Sequence, residues 1–133
     1  MVQTKYGFGT KVGMPFEQAV ALVKELLQAE GFGVLTEIDV KKTMKQKLEA
    51  EFRKYVILGA CNPRLAHRAF DVDLEIGLLL PCNVIVYEDD GGAAVSVMDP
   101  VAALGIVGNE KLEPIAAEAR ERLDRVIRKL NQR

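Results

Sequence analysis

A chain of 133 residues, 49% hydrophobic and 28% charged, has room for one domain (residues 1–133) with a full core. Its net charge of −1 withholds the general attraction that nucleic acid or an anionic membrane needs, so neither is expected as a partner. No apolar run approaches the roughly 20 residues of a bilayer span. The N-terminus has no charged-then-apolar leader, and two cysteines in such a chain point to reduced thiols in the cytoplasm.

Val2 to Val12 alternates and predicts one half-buried strand, with Val2, Thr4, Tyr6, Phe8, Thr10 and Val12 on one side. Gly7-Phe-Gly-Thr-Lys-Val-Gly13 superficially resembles a phosphate loop. Its spacing is off by one residue, however, and the strand before it is not the apolar one a dinucleotide fold requires. Glycines that flatten a strand face are the simpler reading. Pro15 opens a helix whose stripe is Phe16, Ala19, Val20, Val23, Leu26 and Leu27, and Gly31 closes it. Phe32 to Ile38 is the second strand. Asp39 caps a short helix in which Lys41, Lys42, Lys45 and Lys47 cluster. With Arg53 and Lys54 they offer an anionic ligand a landing place, but Glu37, Asp39, Glu49 and Glu51 balance them as an ordinary solvated face.

Glu51 to Ala60 is rich in aromatic and β-branched residues and predicts a buried strand. Asn62-Pro63 then starts a helix, the asparagine as N-cap and the proline at the first turn. Leu65, Ala66, Ala69 and Phe70 recur at helical spacing. Ile76-Gly-Leu-Leu-Leu-Pro81 is an apolar connection, and Asn83 to Glu88 is another buried strand. Asp89-Asp-Gly-Gly92 reads as a hairpin turn and Ala93 to Met98 as the fifth strand. Asp99-Pro100 opens a helical turn over Val101 to Leu104, and Gly105 to Gly108 leaves it. Asn109 caps the last helix, with Pro114 in its first turns. Its charged face pairs Glu118 with Arg122, Glu121 with Arg125 and Asp124 with Arg128, so it neutralises itself.

The middle of the chain holds both cysteines, the only histidine and a near mirror: Cys61-Asn-Pro63 before a helix, Pro81-Cys-Asn83 after it. If the two flanking strands are antiparallel neighbours, the two Cys-Asn pairs come close and Cys61, Asn62, His67, Cys82 and Asn83 form a candidate ligand site. If the connection is a parallel crossover, they lie at opposite ends of the sheet. Three readings of the thiols stand side by side. One is a nucleophilic or redox thiol, with Cys61 before a positive helix end. A second is a metal site from both cysteines, His67 and a carboxylate, which lacks a strong fourth ligand. The third is two buried, unreactive side chains. One histidine and one serine leave no Ser-His-Asp set, and no metal or cofactor is called.

Leu58-Gly-Ala-Cys-Asn-Pro-Arg-Leu-Ala66, followed by Ile76-Gly-Leu-Leu-Leu-Pro-Cys-Asn-Val-Ile-Val-Tyr-Glu88, resembles the signature of the family called domain of unknown function 302. The likeness extends to Gly31 through Val40 and to Asp99-Pro100. It implies a small α/β domain, dimeric, with no established activity and no catalytic residue to carry over.

The expectation is an α+β fold: a two-layer sandwich of five strands in a mainly antiparallel or mixed sheet, with helices on one face. The other face must be hidden or solvated. The surplus apolar residues of Ile76 to Leu80 and Leu104 to Val107 lead to a homodimer. The function read from this is a non-enzymatic small-ligand-binding or assembly module. The alternative is a small thiol- or metal-dependent enzyme using Cys61 and Cys82.

Overall fold

The computed structural model describes residues 2–133; Met1 lies outside them. Six strands form one sheet: β1 (Val2–Gln3), β2 (Gly7–Val12), β3 (Gly33–Asp39), β4 (Tyr55–Cys61), β5 (Cys82–Asp89) and β6 (Gly92–Met98). The helices are α1 (Phe16–Ala29), α2 (Val40–Leu48), α3 (Pro63–Val72), α4 (Pro100–Gly105) and α5 (Glu113–Asn131), with short 3-10 segments at Leu74–Leu79 and Glu110–Leu112. The strand order is β1-β2-β6-β5-β4-β3 and all five pairings are antiparallel.

Two expectations change. The sheet has six strands rather than five, because Val2 to Val12 is not one strand but a hairpin. Thr4 turns the chain: its amide donates to the Gly7 carbonyl at 2.9 Å and its hydroxyl accepts from Tyr6 N–H at 3.3 Å. Val2 then faces Gly9 and Gln3 faces Phe8. Alternation cannot see such a reversal, since both arms of a hairpin keep the same period of two. The strand expected over Glu51 to Ala60 also starts later, at Tyr55.

Other local signals translate directly into geometry. Asp90 and Gly91 both adopt positive φ, the two-residue turn that the Asp-Gly pair favours between β5 and β6. Asn62, Asp39 and Asp99 accept backbone N–H groups at the starts of α3, α2 and α4. Asn109 caps the 3-10 turn ahead of α5 rather than α5 itself.

Alternation sends Phe8, Thr10 and Val12 of β2, Val56, Leu58 and Ala60 of β4, Val84 and Val86 of β5, and Ala93, Val95 and Val97 of β6 to one face, where all are buried. Ala19, Val23, Leu26 and Leu27 of α1 and Leu123, Val126, Ile127 and Leu130 of α5 cover them as the main core. A second core at one end joins Leu65 and Ala69 of α3, Ile76, Leu104 of α4, Leu112 and the first turns of α5. Glu30, 8% exposed at the end of α1, is clamped there: Arg125 reaches its carboxylate at 3.0–3.1 Å and Arg122 donates to its carbonyl at 3.1 Å. The self-neutralising pairs of α5 form as well, at 2.7–3.2 Å.

Candidate functional site

Of the two arrangements open to the cysteine stretch, the antiparallel one is observed. β4 and β5 are neighbours with Ala60 opposite Cys82, so the chain re-enters the sheet beside the point where it left. Cys61, Asn62 and Cys82 line one cavity, closed by Leu65, Leu80 and Ile115. Its volume is about 40 Å³ and its walls are almost wholly apolar. That is a packing void, too small for an organic ligand. Asn62 spends its side-chain oxygen capping Leu65 N–H at 3.2 Å. Its amide nitrogen lies 3.0 Å from where a Cβ on Gly31 would sit, and Gly31 has φ of +85°.

The other two residues go elsewhere. His67 points into solvent with its side chain 80% exposed, and its Nδ1 lies 3.7 Å from an Asp71 carboxylate oxygen. Spaced six positions from Cys61 along a helix that starts at Pro63, it is on the outer face of α3. Asn83 is exposed on the opposite side of the sheet, because it follows Cys82 by one step of the strand alternation. The five candidate residues therefore do not converge. Among the described residues no group of three or more His, Cys, Asp or Glu side chains is positioned to hold a metal ion.

The thiols themselves are not activated. Burial pushes Cys61 above its ordinary value, and burial, with the neighbouring Cys61 adding to it, pushes Cys82 up to about 11. Desolvation of the thiolate outweighs the helix N-terminus expected to favour it. Both cysteines are free.

A much larger concavity is on the uncovered face of the sheet. A groove of about 630 Å³ runs over β1, β2, β6, β5 and β4, walled by Val2, Tyr6, Tyr55, Ile85 and Tyr87 with Asn83 and Ser96 among them. Tyr55 and Tyr87 face each other across β4 and β5, stacked at 5.3 Å and 9°. Phe52 adds a tilted contact at 6.0 Å from Tyr55, and the Arg53 guanidinium sits 5.8 Å from the centre of the Tyr87 ring. Burial raises the Tyr55 phenol above its usual value. Ile38, Ile57 and Ile85 form one row straight across β3, β4 and β5.

The sequence held a signal for this surface. Tyr55-Val-Ile-Leu58 and Val84-Ile-Val-Tyr87 are apolar at every position, so they carry apolar groups on both faces of the sheet. The glycines of β2 have a different cause. A Cβ on Gly9 would fall 2.1 Å from the Val95 carbonyl oxygen, so Gly9 lets β2 and β6 approach and is not shaped for a phosphate.

Comparison with known proteins agrees with the fold. The chain is similar to a solved structure described as an uncharacterized conserved protein DUF302 from Bacillus stearothermophilus, with 28% identity and a TM-score of 0.88 over 96% of this chain and 99% of that one. No curated protein matches it. A family model with the description Domain of unknown function DUF302 matches residues 8–130. The chain belongs to that family.

Proposed function

We propose that this domain is a non-enzymatic assembly module that works as a homodimer, with a second copy covering the open face of the sheet. One observation carries the reading. β4 and β5 are apolar on both sides over Tyr55–Leu58 and Val84–Tyr87, yet the chain's own main-core helices cover only one. A sheet with such strands is ordinarily covered twice.

The edges point the same way. β1 is two residues long, and β3 carries a bulge between Val34 and Thr36 followed by Glu37 and Asp39, two devices that discourage strand addition. The face remains the more inviting surface. Leaving out the short β1, five strands about 4.8 Å apart and about seven residues long give on the order of 600 Å² per copy, at the lower end of what stable complexes bury on each partner. Raised thiols, a solvent-facing His67 and an Asn62 occupied as a cap weigh against the thiol or metal enzyme. Two free cysteines side by side fit a reducing compartment such as the cytoplasm.

Sedimentation equilibrium of the wild type and of Ile85→Lys tests the proposal. A dimer that the substitution converts to a folded monomer is expected; a wild type monomeric at 100 times the assay's lowest concentration contradicts it. A second reading, a small apolar ligand in the same groove, rests on its volume of about 630 Å³, within the roughly 300–1,000 Å³ of small-molecule sites. It gains if the wild type is monomeric and an apolar dye binds with an affinity that Ile85→Lys removes.

A further inference from the structure

The open face changes character along its rows. Val2, Gly9, Ser96, Ile85, Ile57 and Ile38 stand opposite one another in turn across all six strands. On β5, β4 and β3 this row carries isoleucines; on β6 and β2 it carries a serine and a glycine. The next row repeats the step, with Tyr55 and Tyr87 on β4 and β5 beside Ala94 on β6. No side chain could fill β2 at Gly9, because a Cβ there would collide with Ser96 and the Val95 carbonyl.

The face is therefore a ridge over β4 and β5 beside a hollow over β6 and β2. The groove of about 630 Å³ is that hollow: Gly7 and Ser96 lie within it, Tyr55 and Tyr87 stand to one side, and Val2 and Tyr6 to the other. None of the described residues lining it carries a charge, and Lys11 nearby is paired with Asp89 at 2.9 Å. The two ends of the row, Val2 on β1 and Ile38 on β3, are apolar and 39% and 48% exposed, at opposite edges of the sheet.

A second copy can lie face to face on this sheet in two ways, each with a two-fold axis in the plane between the sheets. An axis across the strands sets every strand over its own copy. Ridge then meets ridge and hollow meets hollow, and the atoms lining the gap lose their contacts. An axis along the strands, between β5 and β6, sets β6 over the partner's β5, β2 over its β4 and β1 over its β3. Each ridge then enters a hollow.

We infer that the dimer pairs in this second way: Ser96 receives the partner's Ile85, Gly9 receives the partner's Ile57, and Val2 meets the partner's Ile38. The inference rests on the dimer reading and adds which strands and side chains meet. Two sheets about 10 Å apart pack by interdigitating their facing side chains, and large against small is how such layers reach interior density. The exposed apolar groups at the two sheet edges cover each other in the same step. The product has four layers, with the two sheets inside and the main-core helices outside.

Charges at the ends of the row test the pairing. Val2 and Ile38 are five strand spacings apart in their own sheet, about 24 Å, so charges placed on them do not meet within one chain. Sedimentation equilibrium should find the dimers of Val2→Lys and of Ile38→Glu each roughly tenfold weaker than the wild type. The double variant Val2→Lys/Ile38→Glu should return to within roughly threefold of it, with the recovery lost at high salt. Both side chains are exposed at sheet edges, so circular dichroism of all three should match the wild type. A second variant reads the centre: Ser96→Ile puts a branched side chain where the partner's Ile85 sits and should weaken the dimer roughly tenfold. A double edge variant no tighter than the weaker single one overturns the inference. So does a Ser96→Ile dimer as tight as the wild type or tighter, because Ser96 then faces its own copy across an unfilled gap. In both cases the wild-type dimer mass stands and only the pairing falls. A wild type monomeric at every concentration removes the dimer and the pairing together.

Discussion

The two faces of the sheet have nearly the same chemistry in β4 and β5 and different fates. On one side Val56, Leu58, Val84 and Val86 are buried under α1 and α5. On the other, one residue out of step, Tyr55, Ile57, Ile85 and Tyr87 are partly exposed, and all but Ile57 line the groove. Burial of the first set stabilises the monomer. The second set contributes little until something covers it, because a side chain still touching water has released only part of its apolar area. In the proposed dimer, fold stability and assembly thus rest on opposite faces of the same strands.

The sharpest way to separate the faces is to truncate each. Leu58→Ala should cost about 2–5 kcal/mol in urea denaturation, since Leu58 is fully buried and its removal leaves a cavity. Ile85→Ala should cost under about 1.5 kcal/mol in a dilute, monomeric sample, and more as concentration rises. Equal costs at low concentration would mean that the second face is covered within the chain.

The cysteines repeat the contrast at smaller scale. Cys82, opposite Ala60, is on the covered side and ionises near 11 folded against about 9 unfolded. The raised value means the thiol stabilises the fold fully below about pH 9, and that contribution is lost as pH climbs through 11. The loss is on the order of 2–3 kcal/mol, and Cys82→Ala should flatten the alkaline limb of the stability profile. A wild-type profile that is already flat from pH 9 to 11 would contradict the burial argument. At neutral pH, alkylation should reach Cys61 before Cys82, and both more slowly than a model thiol.

Polar contacts give the smaller effects. Glu30→Ala removes the buried partner of Arg125 and should cost about 1–3 kcal/mol by thermal unfolding, whereas Arg128→Ala, at an exposed pair, should stay within about 1 kcal/mol. His67→Ala should change stability by less than about 0.5 kcal/mol and leave the oligomeric state alone, because its side chain meets only solvent and Asp71.

Much of the covered face was legible in the sequence. The stripe of α1, the ion pairs along α5, the caps at Asp39, Asn62 and Asp99 and the Asp-Gly hairpin each depend on a few adjacent residues, and each formed where its local chemistry required. The N-terminal hairpin was not legible, because a turn at Thr4 preserves the period that defines a strand. The candidate site was half legible. The mirrored Cys-Asn pairs do meet at one sheet end, but strand alternation sends Asn83 to the far face and helical spacing sends His67 outward. The clamp on Glu30 joins positions 30 and 125, and no spacing rule spans that distance. The groove on the open face was signalled by unbroken apolar runs in β4 and β5, a pattern that is easily taken for burial alone.

The central claim is that the second face is completed by a second copy, and multi-angle light scattering across a concentration series tests it most directly. The account predicts about twice 14.7 kDa for the wild type and 14.7 kDa for a folded Ile85→Lys. A wild type at 14.7 kDa throughout the series, or an Ile85→Lys that keeps the dimer mass, contradicts it.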